Sequence, residues 1–389
     1  MLTRELEYEL PADRIATEPA EPRDAARLMV VRRQTQTIEH RIVRDLGDAS
    51  AGLLRAGDLM VFNQSKVLPA HFEATRVGTG GKVSGLYTRS EPGDERLWET
   101  MLESGGKLRE GERLSFIEDS QLELITKLDG GLWRARLHGS LSTLDLLHRI
   151  GQVPLPPYIV AQRKKQHEAE VRPGDMQRYN TVYARDEGSV AAPTAGLHFT
   201  DELLAKLRAM GVSMAFITLH VGLGTFAPIR SERIEDHVMH REWMSVPSET
   251  IAALEAARAR GGRIVPVGTT SVRAMESLPV MDDEIRRGGY AGETGLLIMP
   301  GGTGAPAVRP LNADDAPTRN SEPGTRNPPP YPFRFADALM TNFHLPHSTL
   351  LALVAALPGV GIDRLKAWYR AAIDAKYHFY SYGDAMLLI

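Results

Sequence analysis

Between about residues 72 and 145 the chain changes texture, and that change constrains the fold more than any other feature. Apolar runs alternate there with turn signals at Gly80-Gly81, Pro92-Gly93-Asp94, Gly105-Gly106, Gly111-Glu112 and Asp129-Gly130-Gly131. Such spacing suits a small antiparallel all-β unit such as a barrel. The flanks read differently. Arg27 to Val31 looks like a strand, and Gly57 to Asn63 like a turn feeding a buried strand that ends on a polar residue. From 190 onward strands and helices alternate. Thr200 caps a helix carrying Leu203, Leu204, Leu207 and Met210, which Gly211 ends, and Phe216 to His220 follows as a strand. Ser248 caps a helix through Arg260, and Arg263 to Val267 is the next strand. This alternation predicts a largely parallel α/β layer. The expected organisation is an α/β domain formed by 1–71 and 146–389, with 72–145 inserted as the β unit.

At 389 residues the chain exceeds the usual size of one domain. A hydrophobic share of 42% and a charged share of 24% are ordinary for a soluble globular enzyme. No apolar stretch approaches the roughly 20 residues of a membrane span. The opening Met1 to Pro11 is too acidic for a signal peptide, so a cytoplasmic protein without membrane contact is expected. The absence of cysteine excludes disulfides, a thiolate nucleophile and Cys-ligated zinc. A net charge of −3 argues against a general nucleic-acid coat protein. It leaves room for one local basic patch, for which Arg163, Lys164 and Lys165, with Arg172 and Arg178, are the candidates; a solvated loop is the other reading. Residues 302–330 hold seven prolines and almost nothing large and apolar, which predicts a mobile surface insertion.

Five segments carry candidate chemistry. In Thr341-Asn342-Phe343-His344-Leu345-Pro346-His347-Ser348, Ser348 is placed to cap the apolar helix that follows. The polar groups before it would then sit at a positive helix N-terminus, which suits an anionic or polar ligand. Gly268-Thr269-Thr270-Ser271-Val272-Arg273-Ala274-Met275-Glu276 follows a strand and should open a helix at the carboxyl edge of the sheet. It is neither a Walker loop nor GxGxxG, so it points to a polar or carboxylate group; Arg273 and Glu276, three apart, could equally pair with each other. In Ala191 to Thr200, Gly196 would admit a ligand close to the backbone, and His198 is a candidate acid or base, or a structural loop His. His220, at a strand end, together with His237, His240 and Glu242 has a spacing that permits zinc, although no HExxH accompanies it. Hydrogen-bonded loop histidines beside a ligand are the preferred reading, with no metal. The closing Tyr377 to Met386 is dense in aromatics that either stack a flat base or seal the core.

Taken together these segments resemble the S-adenosylmethionine:tRNA ribosyltransferase-isomerase family of the queuosine pathway. The likeness is carried by Tyr8-Glu9-Leu10-Pro11, Gly57 to Pro69, Pro154 to Tyr158, Tyr179 to Phe199, Leu219 to His240, Val267 to Glu276, Asp337 to Leu351 and Phe379 to Met386. It implies a barrel-like α/β main domain with an inserted antiparallel β-barrel. It also implies transfer and isomerisation of the ribosyl moiety of S-adenosylmethionine onto 7-aminomethyl-7-deazaguanine at the wobble position of tRNA, giving epoxyqueuosine and releasing adenine and methionine. The partners implied are S-adenosylmethionine, as a substrate, and the tRNA anticodon stem-loop; no cofactor is called for, and a monomer is expected. His198, His220, His344 and Arg273 are the catalytic candidates. Asn63, Lys66, Thr194, Gly196, Thr225, Thr269, Thr270, Ser271, Glu276, Asn342 and Asp384 are the candidates for substrate binding. Arg273→Ala is expected to abolish turnover with little loss of stability.

The chain departs from the family pattern in places. Where the family shows Asn-x-Thr-Arg-Val-x-x-Ala-Arg, this chain has Asn63-Gln64-Ser65-Lys66-Val67-Leu68-Pro69-Ala70-His71, and Ser84 stands where an acidic residue is usual. Lys and His cannot reproduce the bidentate grip of Arg. These changes leave open a paralogue that uses S-adenosylmethionine or a related nucleoside with another acceptor, or a non-catalytic RNA- or nucleoside-binding protein.

Overall fold

Strand pairing in the computed structural model, which describes residues 1–222, 224, 228–301 and 331–389, follows the sequence pattern closely. Arg27–Arg32 (β1) and Thr37–Ile42 (β2) form a hairpin, and Leu59–Asn63 (β3) and Ser65–Val67 (β4) lead into the insert. Six strands then close an antiparallel barrel: His71–Arg76 (β5), Lys82–Glu91 (β6), Asp94–Ser104 (β7), Arg113–Ser115 (β8), Gln121–Lys127 (β9) and Leu132–His138 (β10). Alternation explains the closure, since every second residue of β10 is buried, with Trp133, Ala135 and Leu137 facing inward. The helix Thr143–Ile150 (α1) spans the expected domain boundary and packs on the barrel. Leu146 and Leu147 enter the barrel core, and Trp98 Nε1 donates to Thr143 Oγ1 at 2.8 Å.

The chain returns through Pro157–Lys165 (α2), Asp175–Arg178 (α3) and Asp186–Ser189 (β11). Asp201–Ala209 (α4), Ser213–Leu219 (β12), Glu242–Val246 (β13), Ser248–Ala259 (α5), Ile264–Pro266 (β14) and Thr269–Glu276 (α6) then alternate. Thr200 caps α4 as expected, its side chain accepting from Leu203 N, whereas Ser248 lies inside the first turn of α5 and caps nothing. Asp283–Gly288 (α7), Tyr290–Thr294 (β15), Leu339–Asn342 (β16), Thr349–Ala356 (α8), Ile362–Asp374 (α9) and Ala385–Leu388 (β17) complete the described elements. The expected insertion at 302–330 lies outside the described residues.

Two main sheets result, in the orders β16-β17-β1-β2 and β14-β3-β12-β13-β15, and β11 pairs with β4 in a separate two-stranded sheet. Within these two sheets the expectation of a largely parallel layer holds only for β14-β3-β12 and for β17 with β1, and outside them β11 also runs parallel to β4. Parallel neighbours need a crossover, which α4 and α5 supply. The link between β12 and β13 carries no α-helix among its described residues, and β13 returns antiparallel. The sheets meet edge to edge through a parallel bridge between Val267 and Met340, with Gly268 N donating to Met340 O at 2.7 Å. One apolar cluster runs under both sheets through Leu28, Val30, Met60, Phe62, Val265 and Met340. Because β14 and β16 run side by side in the same direction, the helices that follow them, α6 and α8, start next to each other. That juxtaposition positions the candidate site.

Candidate active site

A narrow cleft opens where the two sheets join, at the carboxyl ends of β14 and β16. Its wall is built from Ala192 to Ala195, from Gly268 to Thr270 at the start of α6, from Thr341 to Leu345 after β16, from Ser348 and Leu350 at the start of α8, and from Tyr380 and Ser381. Gly268 stands at φ +87°, a conformation that favours glycine, and it turns the chain from strand into helix at the cleft wall. Ser348 fixes the other helix start: its Oγ accepts from Leu351 N at 3.1 Å and donates to Leu345 O at 2.8 Å. No Lys, Arg, Asp or Glu is among these lining residues.

Asn342 ties the cleft together. Its Nδ2 donates to Tyr380 O at 3.1 Å and to His198 Nε2 at 3.2 Å, and its Oδ1 accepts from Thr194 Oγ1 at 3.4 Å. Tyr380 is thereby held at φ +75°, an unusual backbone for a tyrosine. On its outer side Tyr380 stacks on Tyr158 at 4.4 Å, and Tyr158 Oη accepts from Ser381 N at 2.9 Å. Of the closing aromatics, Tyr377 and Phe379 seal the core, whereas Tyr380 lines the cleft.

His344 is the imidazole in the cleft wall. Its Nε2 lies 2.8 Å from Thr341 Oγ1, its backbone N–H donates to Tyr369 Oη at 3.0 Å, and its carbonyl accepts from Tyr8 Oη. Burial pushes its pKa down to about 3. His198 is pushed down to about 4, by burial first and then by the Arg23 charge. Both rings are neutral at pH 7, which agrees with His198 Nε2 acting as an acceptor.

Several expected site residues do not reach this cleft. Asn63 uses its amide to join β3 to β12, donating to Leu219 O at 3.0 Å and accepting from Leu219 N at 3.0 Å and Ser65 N at 3.1 Å. Ser271 donates back to Val267 O at 2.8 Å within its own helix. Arg273 is buried against the Glu242 carboxylate, and its Nε donates to Leu296 O at 3.2 Å. Glu276 does not pair with Arg273; its carboxylate accepts from the backbone N–H groups of Arg334, Phe335 and Ala336 at 2.8 to 3.2 Å. Burial nevertheless pushes its pKa up. Asp384 accepts from the backbone of Arg27 and of His378, each at 2.8 Å, which holds the start of β1. Gly196 makes room for the Tyr183 hydroxyl, which a Cβ there would overlap. His220 stacks on Trp243 at 4.7 Å, under the Gly188 backbone, with its pKa pushed down to about 4 mainly by burial. Thr225 lies outside the described residues. Among the described residues no three His, Asp or Glu side chains converge as a metal site.

The candidate basic patch is largely neutralised from within. Arg163 is buried on Asp175 at 2.6 Å, Lys164 meets Glu170 at 2.9 Å, Arg172 pairs with Glu18 and Glu168, and Arg178 with Asp175. The departures at 66, 71 and 84 also find partners. Lys66 meets Glu187 at 2.8 Å, and that carboxylate also takes His148 Nε2 at 2.9 Å. His71 and Ser84 face each other across β5 and β6, 3.0 Å apart, so two separate departures in sequence are one side-chain pair in space. Missed in the sequence were Thr341, Tyr380 and Tyr8. Tyr8 lies 336 positions from His344, and no local pattern announces that contact.

Fold and site together define a class: a mixed α/β protein with an inserted antiparallel barrel and a neutral, hydroxyl- and amide-lined cleft at a sheet junction. Residues 3–388 match the family described as queuosine biosynthesis protein, and the chain belongs to that family. A Thermotoga maritima protein named S-adenosylmethionine:tRNA ribosyltransferase-isomerase is 41% identical over 389 residues, covering 100% of both chains. One of the same name from Symbiobacterium thermophilum is 43% identical over 390 residues, again covering 100% of both. The crystal structure of S-adenosylmethionine tRNA ribosyltransferase from Thermotoga maritima matches with TM-score 0.50 and 33% identity, covering 99% of this chain and 100% of that one.

Proposed function

We propose that this protein is an S-adenosylmethionine-dependent tRNA ribosyltransferase-isomerase. It moves and rearranges the ribosyl moiety of S-adenosylmethionine onto 7-aminomethyl-7-deazaguanine at the tRNA wobble position, yielding epoxyqueuosine, adenine and methionine. The observation that carries this reading is the end-to-end match to relatives of that name at 41% and 43% identity. The anticodon stem-loop is the part of tRNA that must reach the cleft, and a cytoplasmic monomer is the proposed working form. No described helix is long and apolar enough to cross a membrane.

The cleft suits the chemistry. The sulfonium of the donor acidifies the adjacent ribose carbon, so a neutral acceptor beside it can start the sequence. His344 is the proposed acceptor: its Nε2 is taken by Thr341, and Nδ1 has no protein partner among the described residues. Burial disfavours the imidazolium so formed, which makes it a ready donor to the departing adenine. Asn342, His198 and Thr194 position the wall in which His344 and Tyr380 sit, and no resident cofactor is called for.

The test is turnover with purified protein, S-adenosylmethionine and tRNA carrying 7-aminomethyl-7-deazaguanine. Adenine release with the matching gain in tRNA mass is expected. Donor binding without a tRNA product would replace this reading with the paralogue.

A further inference from the structure

The first turn of α6 has hydrogen-bonding capacity that the protein leaves unused. Helix starts lack intrahelical partners for their first N–H groups, and with Gly268 as N-cap no side chain caps this one. Thr270 lines the cleft beside it, is 6% exposed, and its hydroxyl has no hydrogen-bond partner among the described residues. The start of α8 enters the same cleft from the other side through Ser348 and Leu350. Two helix N-termini and an unpartnered buried hydroxyl, with no cationic side chain in the lining, make a seat for a small anionic oxygen pair.

We propose that this turn of α6, with the Thr270 hydroxyl, binds the carboxylate of the methionine moiety of S-adenosylmethionine. The assignment rests on the ribosyl-transfer reading above. A terminal carboxylate is the end of a flexible chain and can enter a narrow, nine-tenths-buried corner, whereas a backbone phosphate of tRNA arrives with a nucleotide on each side. Leu345 and Leu350 in the same wall suit the methylene groups that connect the carboxylate to sulfur. The helix dipole then holds the donor's negative end away from the sulfonium, so that the positive charge beside the ribose is not neutralised by its own carboxylate.

The experiment compares wild type, Thr270→Val and Thr270→Ser. Loss of one hydrogen bond to a charged group should raise the KM for S-adenosylmethionine roughly tenfold in Thr270→Val. The KM for tRNA and kcat should stay near wild type, and Thr270→Ser should restore the donor KM. Inhibition by L-methionine should weaken in parallel in Thr270→Val, and inhibition by adenine should not. An unchanged donor KM would overturn the assignment, and so would a rise in the KM for tRNA alone, which would mean that the hydroxyl meets a phosphate. A wild type that releases no adenine would fail the proposed function by itself. Calorimetric binding of L-methionine, weakened by Thr270→Val but not by Thr270→Ser, would still support the carboxylate seat, and equal binding by all three would sink it.

Discussion

The two ends of helix α6 look alike in sequence and behave oppositely in the fold. At its start, Thr269 and Thr270 face the cleft, and the Thr270 hydroxyl has nothing to bond to. At its end, Arg273 and Glu276 are equally buried but their charges are met: Arg273 by Glu242, with Nε on Leu296 O and only Nη2 left without a partner among the described residues, and Glu276 by three consecutive backbone N–H groups after the 302–330 segment. Both ends offered polar groups to a ligand when read as sequence. What separates them is charge: the ionised groups at the end are already met within the protein, whereas the start offers a neutral hydroxyl that nothing has engaged. Charge makes that difference costly, because a buried ion left without its partner is far more expensive than a buried hydroxyl.

The largest expected effect breaks the committed end. Arg273→Ala should destabilise the protein by about 3–5 kcal/mol, since it leaves the Glu242 carboxylate buried without its guanidinium. This reverses the expectation from sequence, which was loss of turnover with little loss of stability. Urea unfolding decides it: a change below about 1 kcal/mol together with lost turnover would return Arg273 to the active site. The next effect belongs to the cleft. His344→Gln should lower kcat at least about 100-fold, the low end for loss of a proton-transfer group, while the unfolding midpoint moves little. A variant with normal kcat would remove His344 from the mechanism.

A third prediction follows from the three buried histidines. His198, His220 and His344 have folded pKa values near 4, 4 and 3, below the ordinary 6.5. The unfolded chain therefore takes up protons from about pH 6.5 downward while the folded chain does not. Stability should fall as pH drops from 6.5 towards 4, by at most about 1.4 kcal/mol per pH unit for each histidine. Urea unfolding at pH 7 and pH 5 measures it, and a flat profile would mean that these rings are not held neutral. The smallest effect lies in the barrel. Ser84→Ala removes a neutral hydrogen bond to His71 and should cost about 1 kcal/mol or less, with turnover unchanged. A specific rise in the KM for tRNA would instead place that pair at the acceptor.

Much of the fold was legible because period and punctuation are local. The turn signals between 80 and 131 announced the barrel, and the caps at Thr200 and Ser348 marked helix starts that the structure keeps. Antiparallel β13 was not legible, because nothing in the 220–241 sequence states that no α-helix lies among the described residues of that link. Of the candidate site residues, Thr194, Asn342, His344, Thr269 and Thr270 line one cleft, and strand-turn-helix segments carry that signal locally. Asn63, Gly196 and Asp384 make contacts within the protein away from the cleft, which the sequence could not show because a polar or small residue at a strand end looks the same whether it meets a ligand or a distant strand. The Tyr8 hydroxyl on His344 and the meeting of His71 with Ser84 depend on how strands pair, which one sequence does not print.

The most direct test of the contrast between the two ends of α6 is a crystal structure of the protein with S-adenosylmethionine bound. The donor should lie in the cleft between Thr270, Asn342 and Tyr380, its carboxylate on the first turn of α6 and its ribose beside His344. A donor bound against Arg273 and Glu242, or beneath the barrel, would contradict the account.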